Sequence, residues 1–343
     1  MVRLTKNISL RSYNSFGIDA TADLMVEWSD AAALRTFLAG QGAPLIAPSA
    51  QWNILGEGCN TLFTGDYHGT LIHSTAQGLE VIEENDCEVV IRVEAGRLWD
   101  SVVEWSCERG LWGAENLSAI PSSVGATAVQ NIGAYGTEAK DIIQQVEYIE
   151  LPSLEERTIQ GGDCHFGYRN SIFKHELAGR AIITAVHYRL SKLPCPKLDY
   201  GTLRPEVERA GEVSPSAIRR AVEAIRGSKL PDPKVTGNAG SFFVNPILPR
   251  HQVEALKEQY PTMPTYEVAG DPERLKIATG WMIDSLGWKG KTLGRAGVHA
   301  NQALVLINAG GATGGEVVAL AERICCEVEE RFGVKISPEV NIL

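Results

Sequence analysis

The sequence predicts an α+β fold with a large first lobe and a smaller C-terminal one. Three observations carry this. Strand-like runs mix with runs of helical period along the whole chain. Two glycine-rich segments, at 56–63 and 120–136, lack both the GxGxxG and the Walker A pattern, which argues against a Rossmann fold. A proline-rich break, Leu193–Gly201, reads as an extended loop after the first lobe and marks a boundary. At 343 residues, with about 100–200 per domain, two or three domains are expected.

In chain order, residues 1–20 carry few periodic apolar positions and read as a lead-in loop. A strand is expected at Leu24–Trp28, then Ser29-Asp30 caps a helix through about Ala39. Pro44–Ile46, Trp52–Leu55, Thr70–Ser74, Leu79–Glu83 and Val89–Glu94 read as strands. Leu98–Arg109 has helical spacing and ends at Gly110, a candidate C-cap. Strands follow at Val146–Glu150 and Ala181–Leu190. Beyond the proline-rich loop, Ser214-Pro215 opens a helix through about Ile225 or Arg226, with the proline at a first-turn position where its missing N–H costs little. A strand from Ala239, helices at Gln252–Gln259 and Leu275–Ser285, a strand at Leu304–Asn308 and a helix Gly315–Phe332 complete the second lobe.

Composition narrows the function. The 32 basic against 42 acidic residues give a net charge of −10, which disfavours nucleic-acid and anionic-membrane partners. The N-terminus lacks an apolar core of signal-peptide length, and no run reaches the ~18 apolar residues of a membrane helix. A cytoplasmic protein, and a monomer, is expected. The seven cysteines show no CxxC spacing and Cys325-Cys326 are adjacent, so reduced, mostly buried thiols are expected, and no metal site.

Gly125, Gly133 and Gly136 permit tight turns whose N–H groups can point at phosphate oxygens. Gly56-Glu-Gly-Cys-Asn-Thr-Leu-Phe63 follows the apolar Ile54-Leu55, so a strand runs into a glycine turn where a diphosphate could meet N–H groups. The two segments would cradle one ligand. Tyr168-Arg169 lies among aromatics. A planar guanidinium there suits a carboxylate, although composition alone fits a solvent arginine. Ser241 follows Gly240 and precedes Phe242-Phe243, with no histidine nearby to form a nucleophilic dyad.

Gly56–Phe63, Ile120–Gly136, Phe166-Gly-Tyr-Arg-Asn-Ser-Ile-Phe-Lys174 and Gly237-Asn-Ala-Gly-Ser-Phe-Phe-Val-Asn-Pro246 resemble, in order, four signatures of the UDP-N-acetylenolpyruvoylglucosamine reductase family, type I. Tyr13–Ile18 resembles the family's first motif, where the chain begins to wrap the flavin domain. The resemblance implies a vanillyl-alcohol-oxidase-like (PCMH-type) FAD-binding fold with a C-terminal α/β substrate-binding lobe. It divides the chain into FAD-binding subdomain 1 (1–75, with the tail 334–343 returning to the active site), FAD-binding subdomain 2 (76–228) and a substrate domain (229–333).

By the same resemblance, noncovalent FAD would be held by Gly56, Glu57, Gly58, Cys59, Asn60 and Leu62. A second set runs through Ile120, Pro121, Ser122, Ser123, Val124 and Gly125, and a third through Asn131, Gly133, Ala134, Tyr135 and Gly136. Arg169, Ser241 and Glu339 would be catalytic, the serine as proton donor. Tyr168, Tyr200, Lys229, Asn245 and Gln302 would bind substrate. The chain departs from the family pattern at Cys59, Ser122 and Ala128, where serine, glycine and proline are usual; a free Cys59 could be redox-sensitive, though an inert thiol is the simpler reading.

The implied reaction is NADPH-dependent reduction of UDP-N-acetylglucosamine enolpyruvate to UDP-N-acetylmuramate in peptidoglycan precursor synthesis, with hydride passing through flavin N5. Two rivals stand beside it: an oxidase of the same cofactor fold acting on an alcohol or sugar, and a catalytically silent nucleotide-sugar-binding protein. Oxygen-driven flavin reoxidation would favour the first, and a colourless preparation the second.

Overall fold

The computed structural model describes residues 1–343 except 210 and 269. Contacts divide the chain into two units. The first comprises Met1–Ile8, Ala22–Glu57 and His68–Ser228; the second comprises Ser9–Thr21, Gly58–Tyr67 and Lys229–Leu343. The helices beyond the proline-rich loop, Leu203–Arg209 and Pro215–Lys229, therefore fall almost wholly with the first unit. That loop is no boundary: Leu198 beneath it packs with Leu203, Val207, Ile218 and Val222 in one apolar cluster that also takes Trp112.

The first unit is organised by a five-stranded antiparallel sheet in the order Glu155–Gln160, Ile143–Glu150, Ala181–Ser191, Glu88–Glu94, Leu79–Glu84. Its central strand, Ala181–Ser191, is buried at nearly every position, as its run of alanine, isoleucine and valine requires. Helix Trp99–Glu108 packs Trp99, Val102 and Val103 into the main core. The Trp99 indole lies 5.1 Å from the Tyr188 ring and donates to the Leu117 carbonyl at 3.0 Å, which ties the following loop to the sheet. A four-stranded sheet in the order Val2–Ser9, Thr21–Trp28, Tyr67–Ser74, Trp52–Leu55 carries the strand that leads into the first glycine segment. Its last pair is parallel, Trp52 opposite Thr70.

The second unit holds a sheet of Asn238–Ser241, Val305–Asn308, Ala296–Val298 and Thr292–Leu293, and another of Ile247–Pro249, Asp271–Ile277 and Thr265–Val268. Phe16, Phe242 and Phe243 are buried together, with Phe16 edge-on to Phe242 at 6.2 Å. Helix Gly314–Phe332 begins at a reciprocal cap: Glu316 N–H donates to Thr313 Oγ1 at 3.2 Å and Thr313 N–H to Glu316 Oε2 at 2.8 Å. The chain's end pairs Asn341–Ile342 in parallel with Thr61–Leu62.

Several expectations fail locally. Ala43–Ile46 is a 3-10 turn rather than a strand, because Pro44 has no N–H for a ladder and sits at a first-turn position. Residues 275–277 end a strand, Leu275 and Ile277 turned inward around Lys276; only Thr279–Ser285 is helical. Val2–Ser9 is a strand with mostly exposed residues, which leaves little apolar pattern to read. The Tyr13–Ile18 motif groups with the second unit, as does the Gly58–Phe63 part of the first glycine segment; the Asn14 amide knots it by donating to the Leu10 and Ile18 carbonyls at 2.7 and 3.1 Å. Of the seven cysteines, none of them in a disulfide, only Cys107 and Cys164 are buried; Cys59, Cys87 and Cys195 lie on turns and loops, and Cys325 and Cys326 on helix Gly314–Phe332. Among the described residues no helix is long and apolar enough to cross a membrane, and no side-chain cluster could hold a metal.

Candidate flavin and substrate site

In the first unit the two glycine segments meet. A Cβ added at Gly56 would stand 2.8 Å from Ser123 Oγ, so only glycine lets the 56–57 backbone approach the second segment. Burial pushes the Glu57 carboxyl above its usual range, with nearby His73 pulling the other way. The unit division passes between Glu57 and Gly58. Gly58 has φ +62° and no room for a Cβ against the Tyr13 carbonyl; its own carbonyl accepts from Ser15 N–H at 3.2 Å. Leu62 is fully buried beside the chain's C-terminal strand.

The second segment is a strap pinned on both sides. The Ser122 carbonyl accepts from Trp99 N–H at 2.8 Å, and the Val124 and Gly125 N–H groups donate to the Arg97 and Ala95 carbonyls at 2.8 and 2.9 Å. Those two N–H groups are therefore not phosphate donors. Gly125 instead opens helix Val124–Gln130, where a Cβ would press on Ala95 Cβ at 3.1 Å. Ahead of these pins Ile120 is half-buried and Pro121 exposed, while Ser122 is buried with its hydroxyl donating to the Ser123 carbonyl at 3.1 Å. Ala128, where the family pattern has proline, is buried within the helix.

Asn131, expected at the cofactor, stands at the end of helix Val124–Gln130. It caps the helix at φ +43°, is fully buried, and donates to the Gly167 carbonyl at 2.7 Å and Glu138 Oε2 at 3.1 Å, while Oδ1 accepts from Lys140 N–H at 2.9 Å. Its amide is committed to protein partners and anchors the turn that carries Tyr168 and Arg169. Gly167 and Asn170 exchange backbone bonds at 3.0 and 3.1 Å, so Tyr168-Arg169 forms a two-residue loop with Arg169 at φ +54°. Arg169 Nη2 reaches the Gly133 carbonyl at 2.8 Å, on the short hairpin Gly133–Ala134/Thr137–Glu138. Tyr135 and Gly136 turn that hairpin with φ +48° and +79°. The Tyr200 ring meets Tyr135 edge-on at 6.0 Å and is half exposed.

In the second unit Ser241 is exposed at the end of strand Asn238–Ser241, opposite Val305. The C-terminal segment runs beside it: Glu339 N–H donates to the Phe242 carbonyl at 2.7 Å, and Phe243 pairs with Pro338. Asn60 Nδ2 donates to the Glu339 carbonyl at 3.2 Å, so Asn60, Glu339 and the Ser241 strand end are neighbours. Asn245 Oδ1 accepts Thr279 N–H at 2.9 Å, which leaves its NH2 as the group to offer a ligand. Gln302 Oε1 faces Leu304 N–H at 3.4 Å, and Lys229 is exposed.

In the first unit, the close backbone approach that Gly56 allows to the pinned strap fits a flat cofactor. A separate cavity of about 330 Å³, lined by Trp112, Glu115 and Lys197 among others, includes none of the expected site residues. Residues 46–153 match the FAD binding domain family and residues 232–343 the C-terminal domain of UDP-N-acetylenolpyruvoylglucosamine reductase. The UDP-N-acetylenolpyruvoylglucosamine reductase of Bacteroides fragilis (strain YCH46) is 47% identical over 340 residues, covering 99% of this chain and 100% of its own. The chain belongs to this reductase family. The enzyme of that name from Pseudomonas aeruginosa (PAO1) is 44% identical over 346 residues, covering 99% of each chain. The crystal structure of the reductase from Thermus caldophilus shares the fold, with a TM-score of 0.68 at 21% identity, covering 100% of this chain and 99% of that one. The expected vanillyl-alcohol-oxidase-like fold with its C-terminal lobe is borne out.

Sequence reasoning missed the residues that hold the strap and hairpin in place. Asn116, buried, donates to the Tyr135 and Lys197 carbonyls, both at 2.8 Å. Arg226 Nε donates to the Ala119 carbonyl at 3.2 Å, and burial lowers the pKa of its guanidinium. The available signal was an arginine one turn before Lys229 on an amphipathic helix.

Proposed function

We propose that this protein reduces UDP-N-acetylglucosamine enolpyruvate to UDP-N-acetylmuramate, using noncovalent FAD and NADPH, in peptidoglycan precursor synthesis. The observation that carries the reading is identity over 99% of the chain with curated reductases of that name. FAD, when bound, supplies the two-electron carrier between NADPH and the enolpyruvyl double bond. The chain's own part is orientation, charge stabilisation and one proton. Arg169, one edge fixed on Gly133, would hold the enolpyruvyl carboxylate and stabilise the enolate. Ser241 would give its proton to the carbon beside that carboxylate, and Glu339 would orient the serine or the enolate. Tyr168, Tyr200, Lys229, Asn245 and Gln302 would grip the nucleotide and sugar, and the 56–62 and 120–136 segments the FAD.

The same reading expects a cytoplasmic monomer without nucleic-acid or membrane partners, in keeping with a net charge of −10. The test is anaerobic reduction of the bound flavin by NADPH, followed by the enolpyruvyl nucleotide. Prompt return of the oxidised spectrum is expected. A colourless protein, or reoxidation only by oxygen in the presence of a sugar donor, would overturn the proposal.

A further inference from the structure

We infer that Asp100 is a positioning residue for the cofactor strap, acting through the backbone of Ala119. The inference rests on the flavin reading above. Ala119 precedes Ile120-Pro121 and has φ +57°, a left-handed conformation that alanine rarely adopts and has no polar side chain to support. Something outside the residue must hold it there. Its N–H donates to Asp100 Oδ1 at 2.6 Å and its carbonyl accepts from Arg226 Nε at 3.2 Å, so both faces of the strained residue are clamped.

Asp100 is itself fixed. It lies in the first turn of helix Trp99–Glu108, and Arg219 grips both its oxygens with a fork at 2.7 and 2.8 Å. Arg219 is largely buried and also pairs with Glu223 at 3.0 Å on its own helix. Downstream, the strap is pinned at Ser122, Val124 and Gly125. Residues 120–121 thus run between those pins and Ala119, and the direction in which the chain leaves Ala119 orients them. Asp100 sets it. Without that acceptor the Ala119 peptide would relax toward the right-handed basin and swing Ile120 and Pro121, with the strap's outward face, away from the shape a bound flavin needs.

Binding of FAD to flavin-stripped protein, read by quenching of flavin fluorescence, tests this beside the thermal midpoint of the same apoproteins. Asp100→Ala should weaken FAD binding ten- to a hundredfold with the apoprotein still folded. Ala119→Gly in that background should recover most of the loss, because glycine adopts the left-handed conformation freely. Ala119→Val, which leaves the Asp100–Arg219 pair intact, should weaken FAD as Asp100→Ala does, and it keeps the test decisive if Asp100→Ala does not fold. Asp100→Asn, which retains an acceptor for the Ala119 N–H, should fall between wild type and Asp100→Ala. If wild type binds FAD and Asp100→Ala, or Ala119→Val, binds it within twofold of wild type, the inference is wrong. Failure of Ala119→Gly to recover any affinity would overturn it equally, leaving only an ion pair that braces two helices. Wild-type protein that does not bind FAD at all would instead sink the flavin reading, and this inference with it.

Discussion

Arg169 Nη2 donates to the Gly133 carbonyl at 2.8 Å, across 36 residues of sequence. The bond joins the two-residue Tyr168-Arg169 loop to the glycine hairpin of the strap region. Arg169 also has its guanidinium 5.3 Å from the Tyr168 ring centre, and Lys174 Nζ holds its carbonyl at 3.0 Å. The cation is therefore placed by backbone geometry.

Arg169→Lys keeps the charge but cannot both bond Gly133 and fork onto a carboxylate. Reoxidation of reduced flavin by the enolpyruvyl nucleotide should slow by ~10²-fold, while reduction by NADPH changes little. Stopped-flow traces at the flavin band separate the two half-reactions. Equal slowing of both would mean that the arginine only supports the fold.

Gly133 should behave as part of the same device. A Cβ there would come within 3.0 Å of Arg169 Nη1 and Glu138 Cγ and 3.1 Å of the Thr137 carbonyl. Gly133→Val should displace the guanidinium, slowing substrate-driven reoxidation and lowering flavin occupancy. Gly125→Val differs, because its neighbour is Ala95; overpacking of about 1–3 kcal/mol should lower the melting temperature along with flavin occupancy. Absorbance ratios of flavin to protein, with melting curves, would show whether the two glycines separate in this way.

What could be read in the sequence was local. The β-branched runs at 89–94 and 181–190, and the Asp30 cap, whose carboxylate accepts Ala33 N–H at 2.6 Å, have short-range causes and form where expected. The glycine segments were recognisable because a turn requires them, as at Gly58 and Gly136. What sequence could not supply was partnership over distance. Asn131 reads as a polar residue near a ligand, but its amide is used up on Gly167, Glu138 and Lys140. No periodicity groups residues 9–21 and 58–67 with a unit that resumes at 229, or sets Asn60 against Glu339. Ala119's left-handed backbone has no signature in its side chain at all.

A pH dependence of stability follows from Glu147. Burial alone would raise its pKa, but hydrogen bonds from His187 at 2.6 Å and Arg92 at 2.6 and 2.8 Å more than offset this and bring it to about 2, from 4.5 in the unfolded chain. A depressed folded pKa means that the stabilisation is complete above 4.5 and disappears as pH falls through about 2. Glu147→Gln should cost about 2 kcal/mol at pH 7, and the gap to wild type should close between those two pH values. Urea unfolding at stepped pH measures it. A gap that persists unchanged below pH ~2 would assign the cost to packing rather than charge.

Ser241 carries the proton-transfer prediction. Hydride addition at the methylene carbon leaves negative charge at the carbon beside the carboxylate, and product forms only when that carbon is protonated. Ser241 is exposed at a strand end, not buried in a turn, so its hydroxyl can meet a ligand. Its neighbour along the strand, Phe242, accepts the Glu339 N–H at 2.7 Å, which fixes a carboxylate-bearing residue next to the serine. Asn60 holds the same residue from its other end through the Glu339 carbonyl. A serine hydroxyl is a weak acid in water, and its transfer becomes feasible where a cation stabilises the acceptor's developing charge. Ser241→Ala should therefore bind FAD and accept electrons from NADPH nearly as wild type does. Its oxidative half-reaction should fall by at least the ~10²–10⁴-fold that one acid–base group contributes. Ser241→Cys, which keeps an ionisable proton, should recover part of that loss, and Glu339→Gln should slow the same step less than Ser241→Ala does. If Ser241→Ala reoxidised at a near wild-type rate with the enolpyruvyl nucleotide, the proton would have to come from water or from Glu339, and Glu339→Gln would then become the more damaging change.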